Sequence, residues 1–153
     1  MSEAIVNALV HLFAIFESVK EGFDQDTGEL VVKPYLKKNL NQELTNEYIN
    51  LFHDYLSFYR EANRNPVGDH ELGIDSTSII QIAKICNQIN KELDSSERIL
   101  VFIELLELIR ADGKVSEKEG EFASLVAMNF NLNHKEVEDI KAFVFDQIGR
   151  AHV

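Results

Sequence analysis

The stretch that decides the fold is residues 99–122, ILVFIELLELIRADGKVSEKEGEF. Its first part is apolar on every side of a helix, which is typical of a helix that other helices surround. Asp112-Gly113 then supplies a helix-ending turn, and Ser116-x-x-Glu119 forms a capping box for the next helix. The stretch therefore predicts a buried helix, a turn and a second helix.

A second stretch of this kind is residues 4–16, AIVNALVHLFAIF. It is too short to cross a bilayer. It also lacks the basic start and the small-residue cleavage site of a signal peptide. We therefore interpret it as another core helix, which begins near Glu3 and ends near Lys20.

The remaining segments carry apolar residues at spacings of three and four, which is the period of an amphipathic helix. Turn residues in the stretch 21–32 predict a loop there, followed by a short helix from Lys33-Pro34 to Asn39. On the buried faces of later helices we expect Ile79 and Met128, among others. The expected N-caps of these helices are Asn41, Asp75 or Ser76, Asp94 or Ser95, and Asn133, with Glu136 completing a capping box.

These patterns predict an all-α fold, a single-domain helical bundle of about seven helices that spans residues 1–153 and has two buried central helices. The segments NLNQELTNEYINLF, from Asn39, and NLNHKEVEDIKAFV, from Asn131, suggest an internal repeat with an offset of 92 residues. We expect pseudo-repeats over about 3–62 and 95–148, linked by a loop over 65–77 and a helix over 76–92. The alternative is that two helix-rich segments align by chance.

Composition narrows the class of partner. The formal net charge is −11, which repels the phosphates of nucleic acids and disfavours anionic membrane surfaces. A basic protein or a cation is the expected partner, although the same charge also serves simply to keep a small domain soluble.

The single cysteine, Cys86, has apolar neighbours on its predicted helix face, so we expect a buried free thiol in a cytoplasmic protein.

The Asp-Gly turn raises the possibility of a metal site. Asp112 and Glu119 match the fifth and twelfth positions of an EF-hand loop, but Leu108 and Arg110 occupy the first and third. Leucine offers no ligand and arginine repels a cation, so a standalone EF-hand is excluded. The structural alternative, a turn followed by a capped helix, explains most of the pattern without a metal.

A weaker metal hypothesis adds the loop of the first half. The first-half loop carries Asp24, Asp26 and Glu29. If the halves are related by a pseudo-twofold axis, the two loops would lie near each other and pool carboxylates with Asp112 and Glu119, which hard cations require. No catalytic or cofactor-binding motif occurs in the sequence, so we expect no enzyme and no cofactor other than such a divalent cation.

Residues 105–140, LLELIRADGKVSEKEGEFASLVAMNFNLNHKEVEDI, resemble the TerB-like tellurite-resistance family, and the resemblance is clearest over 97–148. It implies an all-helical accessory or regulatory module for membrane-associated or stress-response systems. It also implies a divalent-metal site, which falls here on Asp112 and Glu119. The first half is similar to a module that precedes ATP-binding-cassette domains, which implies an ATP-binding-cassette or other membrane-associated protein as partner. The expected function is thus binding of a protein partner; the alternative is divalent-cation binding.

Overall fold

Seven helices make up nearly all of the chain that the computed structural model describes, namely residues 3–19, 27–63, 76–111 and 117–150. No strand occurs within these ranges, so the prediction of an all-α fold is confirmed. None of the helices in them is both long enough and apolar enough to cross a membrane. The helices are α1 (Glu3–Val19), α2 (Thr27–Asn39), α3 (Gln42–Asn63), α4 (Ser76–Glu92), α5 (Ser95–Ala111), α6 (Glu117–Asn129) and α7 (His134–Arg150).

The two helices at the centre are α1 and α5, as the sequence predicts. They contact each other and α2; α1 also contacts α3 and α4, and α5 also contacts α6 and α7. Phe13 and Phe16 of α1 and Phe102 of α5 are buried in one continuous core. Burial of each of these rings stabilises the fold by about 2–3 kcal/mol. The other helices therefore pack where they cover the apolar surfaces of α1 and α5.

The bounds of the helices agree with the proposed repeat. Moving α1 along the chain by the offset of 92 residues reproduces the bounds of α5, and moving the first residue of α3 by the same offset reaches that of α7. The packing differs, because α2 lies against α3 whereas α6 and α7 touch little within the described residues. The superposition of the two halves therefore stays a prediction.

The predicted start of α2 at Lys33-Pro34 is wrong, because the helix already begins at Thr27. Gly28, Val32 and Leu36 are buried at a spacing of four, and this stripe packs the first turns of α2 against the core. Pro34 lies inside the helix on its exposed side. A proline removes one helical hydrogen bond, but the packing of the opposite face outweighs that loss here.

Side-chain caps fix where three helices begin. Asn41 Oδ1 accepts a hydrogen bond from the Leu44 amide at 2.8 Å, as predicted. Asp94, one of the two predicted caps of α5, accepts from the Glu97 amide at 2.8 Å while Glu97 Oε1 accepts from the Asp94 amide at 3.0 Å. Asn133 Oδ1 accepts from the Lys135 amide at 2.8 Å. Each cap satisfies amide donors that a helix start leaves open.

Arg98 ties the corner between α4 and α5 to the end of α6. Its Nη1 atom donates to Asn90 Oδ1 and to the Phe130 carbonyl, both at 3.2 Å. The side chain of Asn90 in turn donates to the Asn129 carbonyl at 2.8 Å. The last carbonyls of α6 are thereby paired, and the turn that follows α6 is held against the core.

Candidate functional site

The turn between α6 and α7 is short and has a defined geometry. The Leu132 amide donates to the Ala127 carbonyl, and the Asn131 amide donates to the Met128 carbonyl, both at 3.1 Å. Asn131 has a φ of 59°. These are the hydrogen bonds and the left-handed residue of a Schellman motif, in which asparagine takes the place that glycine usually fills.

Beyond this turn the two helices bury different faces. α6 packs on α4 and α5. Its Phe122 and Val126 are fully buried, as is Phe130 just after its end. α7 packs on α5, and its Val137 and Val144 are buried. Because α6 and α7 pack against the core rather than against each other, an open groove remains between them.

The groove has a volume of about 890 Å³. Its apolar lining comes from three helices and the turn. Met128 and Ile79 in this lining are 64% and 41% exposed, so the prediction that both are buried is wrong. The reason is tertiary: no helix in the described residues covers this side of α6. The apolar lining residues are Ile79 of α4, Leu125, Ala127 and Met128 of α6, Leu132 of the turn, and Val137 of α7.

The rim of the groove is polar and mixed in charge. Glu121 of α6 and Glu138 of α7 both line it and are exposed. Lys141 lines it as well, and its Nζ atom donates to Ser124 Oγ at 2.8 Å, across from α7 to α6. The basic group is therefore already engaged by a hydroxyl, while the two carboxylates remain in water.

One position in the groove carries no side chain. A Cβ atom added to Gly120 would meet no atom within 4 Å. Gly120 lines the groove, so this open space is part of it. An apolar floor with a polar rim, open along one side, has the chemistry of a surface that receives a peptide rather than of a closed substrate pocket.

The family model of the tellurite resistance protein TerB matches residues 39–142 of this chain. The chain belongs to the TerB family. The match covers α3 to α6 and the first half of α7, so it includes the complete groove. No curated protein and no solved structure matches the chain.

The TerB match also extends the resemblance that the sequence indicates, which is clearest over 97–148. It begins at Asn39, where the first Asn-Leu-Asn segment begins. Family membership identifies the chain as a module related to tellurite resistance.

Most of the side chains predicted to bind metal lie outside the part of the chain that the structure describes. Asp112, Asp24 and Asp26 lie outside the described residues. Glu29 lies in α2, with its Oε1 atom 3.3 Å from His53 Nε2. Glu119 falls within α6, but its side chain is also outside the described part. Elsewhere in the described ranges, no group of three or more His, Cys, Asp or Glu side chains forms a set that could hold a metal ion.

A second polar cluster lies between α1 and α3. His11 Nε2 lies 2.6 Å from the Tyr59 hydroxyl, and the His11 ring stacks on Tyr55 with 3.9 Å between the ring centroids. Tyr55 donates in turn to Asn7 Oδ1 at 3.1 Å. Burial lowers the pKa of His11 from its usual value to about 4. The ring is therefore neutral at pH 7, and its Nε2 atom is paired with the Tyr59 hydroxyl.

Cys86 is fully buried in α4. Burial raises the pKa of its thiol to about 12. The reactive thiolate is therefore scarce at neutral pH, and the interpretation of Cys86 as a small apolar core residue agrees with the structure.

The sequence contained one signal for the groove. In α6, apolar residues occur at 122, 123 and 125–128, which is more of the circumference than one buried face requires. Such a helix either is surrounded or has a second contact surface. The sequence cannot distinguish the two, because the answer depends on where α7 packs.

Proposed function

We propose that this chain is a TerB-family accessory module that binds a basic amphipathic helix of a protein partner in the α6–α7 groove. The observation that carries the proposal is the exposure of Met128, at 64%, in the floor of an apolar groove. A long, flexible apolar side chain left in water at the bottom of a groove gains most from being covered.

The size and shape of the groove suit a helix. It runs along α6, whose 13 residues correspond to a length of about 20 Å. Its volume of about 890 Å³ is at the upper end of the usual range for ligand pockets, roughly 300–1,000 Å³. Helix-in-groove recognition uses apolar anchors at i, i+3/i+4 and i+7, and the lining offers apolar side chains from α4, α6, α7 and the turn between α6 and α7.

Charge selects among the occupants. The chain carries a net charge of −11, and Glu121 and Glu138 stand at the rim of the groove. A helix with lysine or arginine beside its apolar stripe can pair with these two carboxylates, because Lys141 of the same rim is already hydrogen-bonded to Ser124. A second copy of the same acidic chain is repelled. A basic protein is therefore the favoured partner.

Family membership supplies the setting for the proposal. A module related to tellurite resistance would act in a membrane-associated or stress-response system, with an ATP-binding-cassette or other membrane-associated protein supplying the helix. The buried thiol of Cys86 is compatible with the reducing environment of a cytoplasmic encounter.

Two synthetic peptides test the proposal directly. Both carry leucine at i, i+3, i+4 and i+7; one has lysine and the other glutamate at the remaining positions. We expect fluorescence anisotropy to show binding of the lysine peptide, weaker at higher salt, and no binding of the glutamate peptide. Met128→Gln should weaken binding about fivefold, since covering most of a methionine contributes about 1 kcal/mol.

The matched control is Leu30→Gln. Leu30 is 72% exposed on α2 and lies outside the groove, so this substitution removes similar apolar surface without touching the site. Equal affinity of the two peptides, or equal effects of the two substitutions, would contradict the proposal. Since neither side chain is buried, neither variant should fail to fold.

A further inference from the structure

A second groove, which shares no lining residue with the first, lies between α1 and α3. Its volume is about 490 Å³, and its walls include Glu3 and Asn7 of α1 and Glu47, Tyr48 and Tyr55 of α3. These residues recur at helical spacing on each helix, so the groove runs along the seam where the two helices meet. In contrast to the α6–α7 groove, its lining combines aromatic rings with carboxylates.

The two tyrosine rings are held in place by their neighbours. His11 stacks on Tyr55 with an interplanar angle of 4°, and His11 does not line the groove. Tyr55 therefore meets the groove with its other face or its edge. The hydroxyl of Tyr48 lies 3.4 Å from the Glu3 carbonyl, which is long for a hydrogen bond. Both rings are partly buried and pack against the core.

The charge of this groove has one sign. Glu3 and Glu47 are exposed, and within the described part of the chain no lysine, arginine or histidine lines the groove. Burial raises the pKa of Tyr48, and the charges of Glu3 and Glu47 raise it further. Both carboxylates are therefore close enough to Tyr48 to act on its hydroxyl.

We propose that the α1–α3 groove binds the guanidinium group of an arginine side chain presented by a protein partner. A guanidinium stacks on an aromatic ring, where the negative face of the ring attracts it. Its planar fork of N–H donors also pairs with carboxylates. The groove offers tyrosine surface and two carboxylates within one small space. The site is separate from the α6–α7 groove, and each can exist without the other.

Blocked amino acids are suitable probes for the whole chain. N-acetyl-arginine amide presents the guanidinium without any other charged group, and N-acetyl-citrulline amide is its neutral isostere. We expect NMR titration of isotope-labelled protein to show saturable shifts at the Asn7 side-chain amide and the Tyr48 and Tyr55 amides with the blocked arginine. The citrulline probe should cause no such shifts.

The decisive variant is Glu47→Gln, which leaves the size of an exposed side chain unchanged. It should weaken binding of the blocked arginine about threefold, the amount expected of one partly exposed charge contact. The control is Glu61→Gln: Glu61 is exposed on the same helix and, being 14 residues further along α3, lies about 21 Å away.

Three outcomes would overturn the proposal. They are equal shifts with the citrulline probe, shifts confined to residues outside the groove, and equal effects of the Glu47 and Glu61 substitutions. Failure of the leucine-lysine peptide to bind the α6–α7 groove would not bear on this site, because the arginine probe carries no apolar helix.

Discussion

His11 Nε2 in α1 and the Tyr59 hydroxyl in α3 lie 2.6 Å apart, and this hydrogen bond joins the N-terminal central helix to its principal neighbour. Tyr59 is buried at 5% exposure. A polar pair at the edge of an apolar core fixes the register of the two helices, since a shift of either one leaves both polar atoms without a partner.

Loss of the Tyr59 hydroxyl should therefore destabilise the fold. We expect Tyr59→Phe to lower the free energy of unfolding by about 1–2 kcal/mol, because His11 Nε2 stays partly buried without its partner. Urea denaturation measures the change. Tyr55→Phe is the control: its hydroxyl bonds to Asn7 near the surface, and a loss there as large as that at Tyr59 would contradict the assigned role of burial.

Acid should weaken the same contact. Burial lowers the pKa of His11 from 6.5 to about 4 in the folded protein. Between those two values the unfolded chain binds more protons than the folded one. Stability is thus fully present above pH 6.5 and is lost as the pH falls toward 4. The contribution of His11 is at most ~1.4 kcal/mol per pH unit.

Comparison with His11→Gln isolates this term from the carboxylates, which also titrate in acid. Urea midpoints at pH 7.5, 6 and 5 should fall more steeply for the natural protein than for the variant. Parallel curves for the two proteins would show that His11 titrates normally in the folded state.

Two helical glycines, Gly28 and Gly120, should respond oppositely to alanine. A Cβ on Gly28 would lie 2.9 Å from both Glu17 Cγ and Phe52 Cζ, whereas one on Gly120 would meet nothing within 4 Å. We expect Gly28→Ala to destabilise by about 1–3 kcal/mol through overpacking against the buried Phe52 ring. Gly120→Ala should stabilise by up to about 1 kcal/mol, since alanine favours the helix. Thermal unfolding of the two variants measures both changes. An increase in stability for both Gly28→Ala and Gly120→Ala would be incompatible with the close approach of α2 to Glu17 and Phe52.

The left-handed residue of the α6–α7 turn gives another prediction. Asn131 has a φ of 59°, a conformation that costs a β-branched residue about 1–2 kcal/mol. Asn131→Val should therefore lower stability by that amount, while Asn131→Gly should be neutral or slightly stabilising. Chemical denaturation of both variants tests this, and a valine variant as stable as the glycine variant would argue against the Schellman turn.

The metal hypothesis leads to a prediction that rests on sequence alone. If Asp112 and Glu119 bind a divalent cation, calorimetric titration with calcium, magnesium, manganese and zinc should detect binding that Asp112→Ala weakens at least about tenfold. Asp139→Ala, at an exposed position in α7, is the control. The same titration of an Asp24→Asn, Asp26→Asn double variant tests whether the first-half loop contributes. An unchanged affinity in Asp112→Ala would remove Asp112 from the site.

Most of the architecture follows from local pattern. The runs 4–16 and 99–109 are apolar on nearly every side, and only a central position buries such a surface; α1 and α5 occupy that position. Asn41 and Asn133 cap the helices that follow them because a short amide side chain reaches the open amides of a first turn. The sequence pattern misplaces the start of α2, because a proline favours the first turn of a helix, whereas the exposed position of Pro34 allows it within the helix.

The sequence by itself determined that the chain is helical, which two helices are central, that the surface is acidic, and that residues 105–140 resemble the TerB family. It determined these because propensity, periodicity and charge are properties of neighbouring residues. Only the tertiary structure decided that Met128 and Ile79 line an open groove, that His11 meets Tyr59, and that Glu3 and Glu47 flank two tyrosine rings. Each depends on the relative position of helices distant in the sequence, and no local pattern encodes which face of a helix is left uncovered.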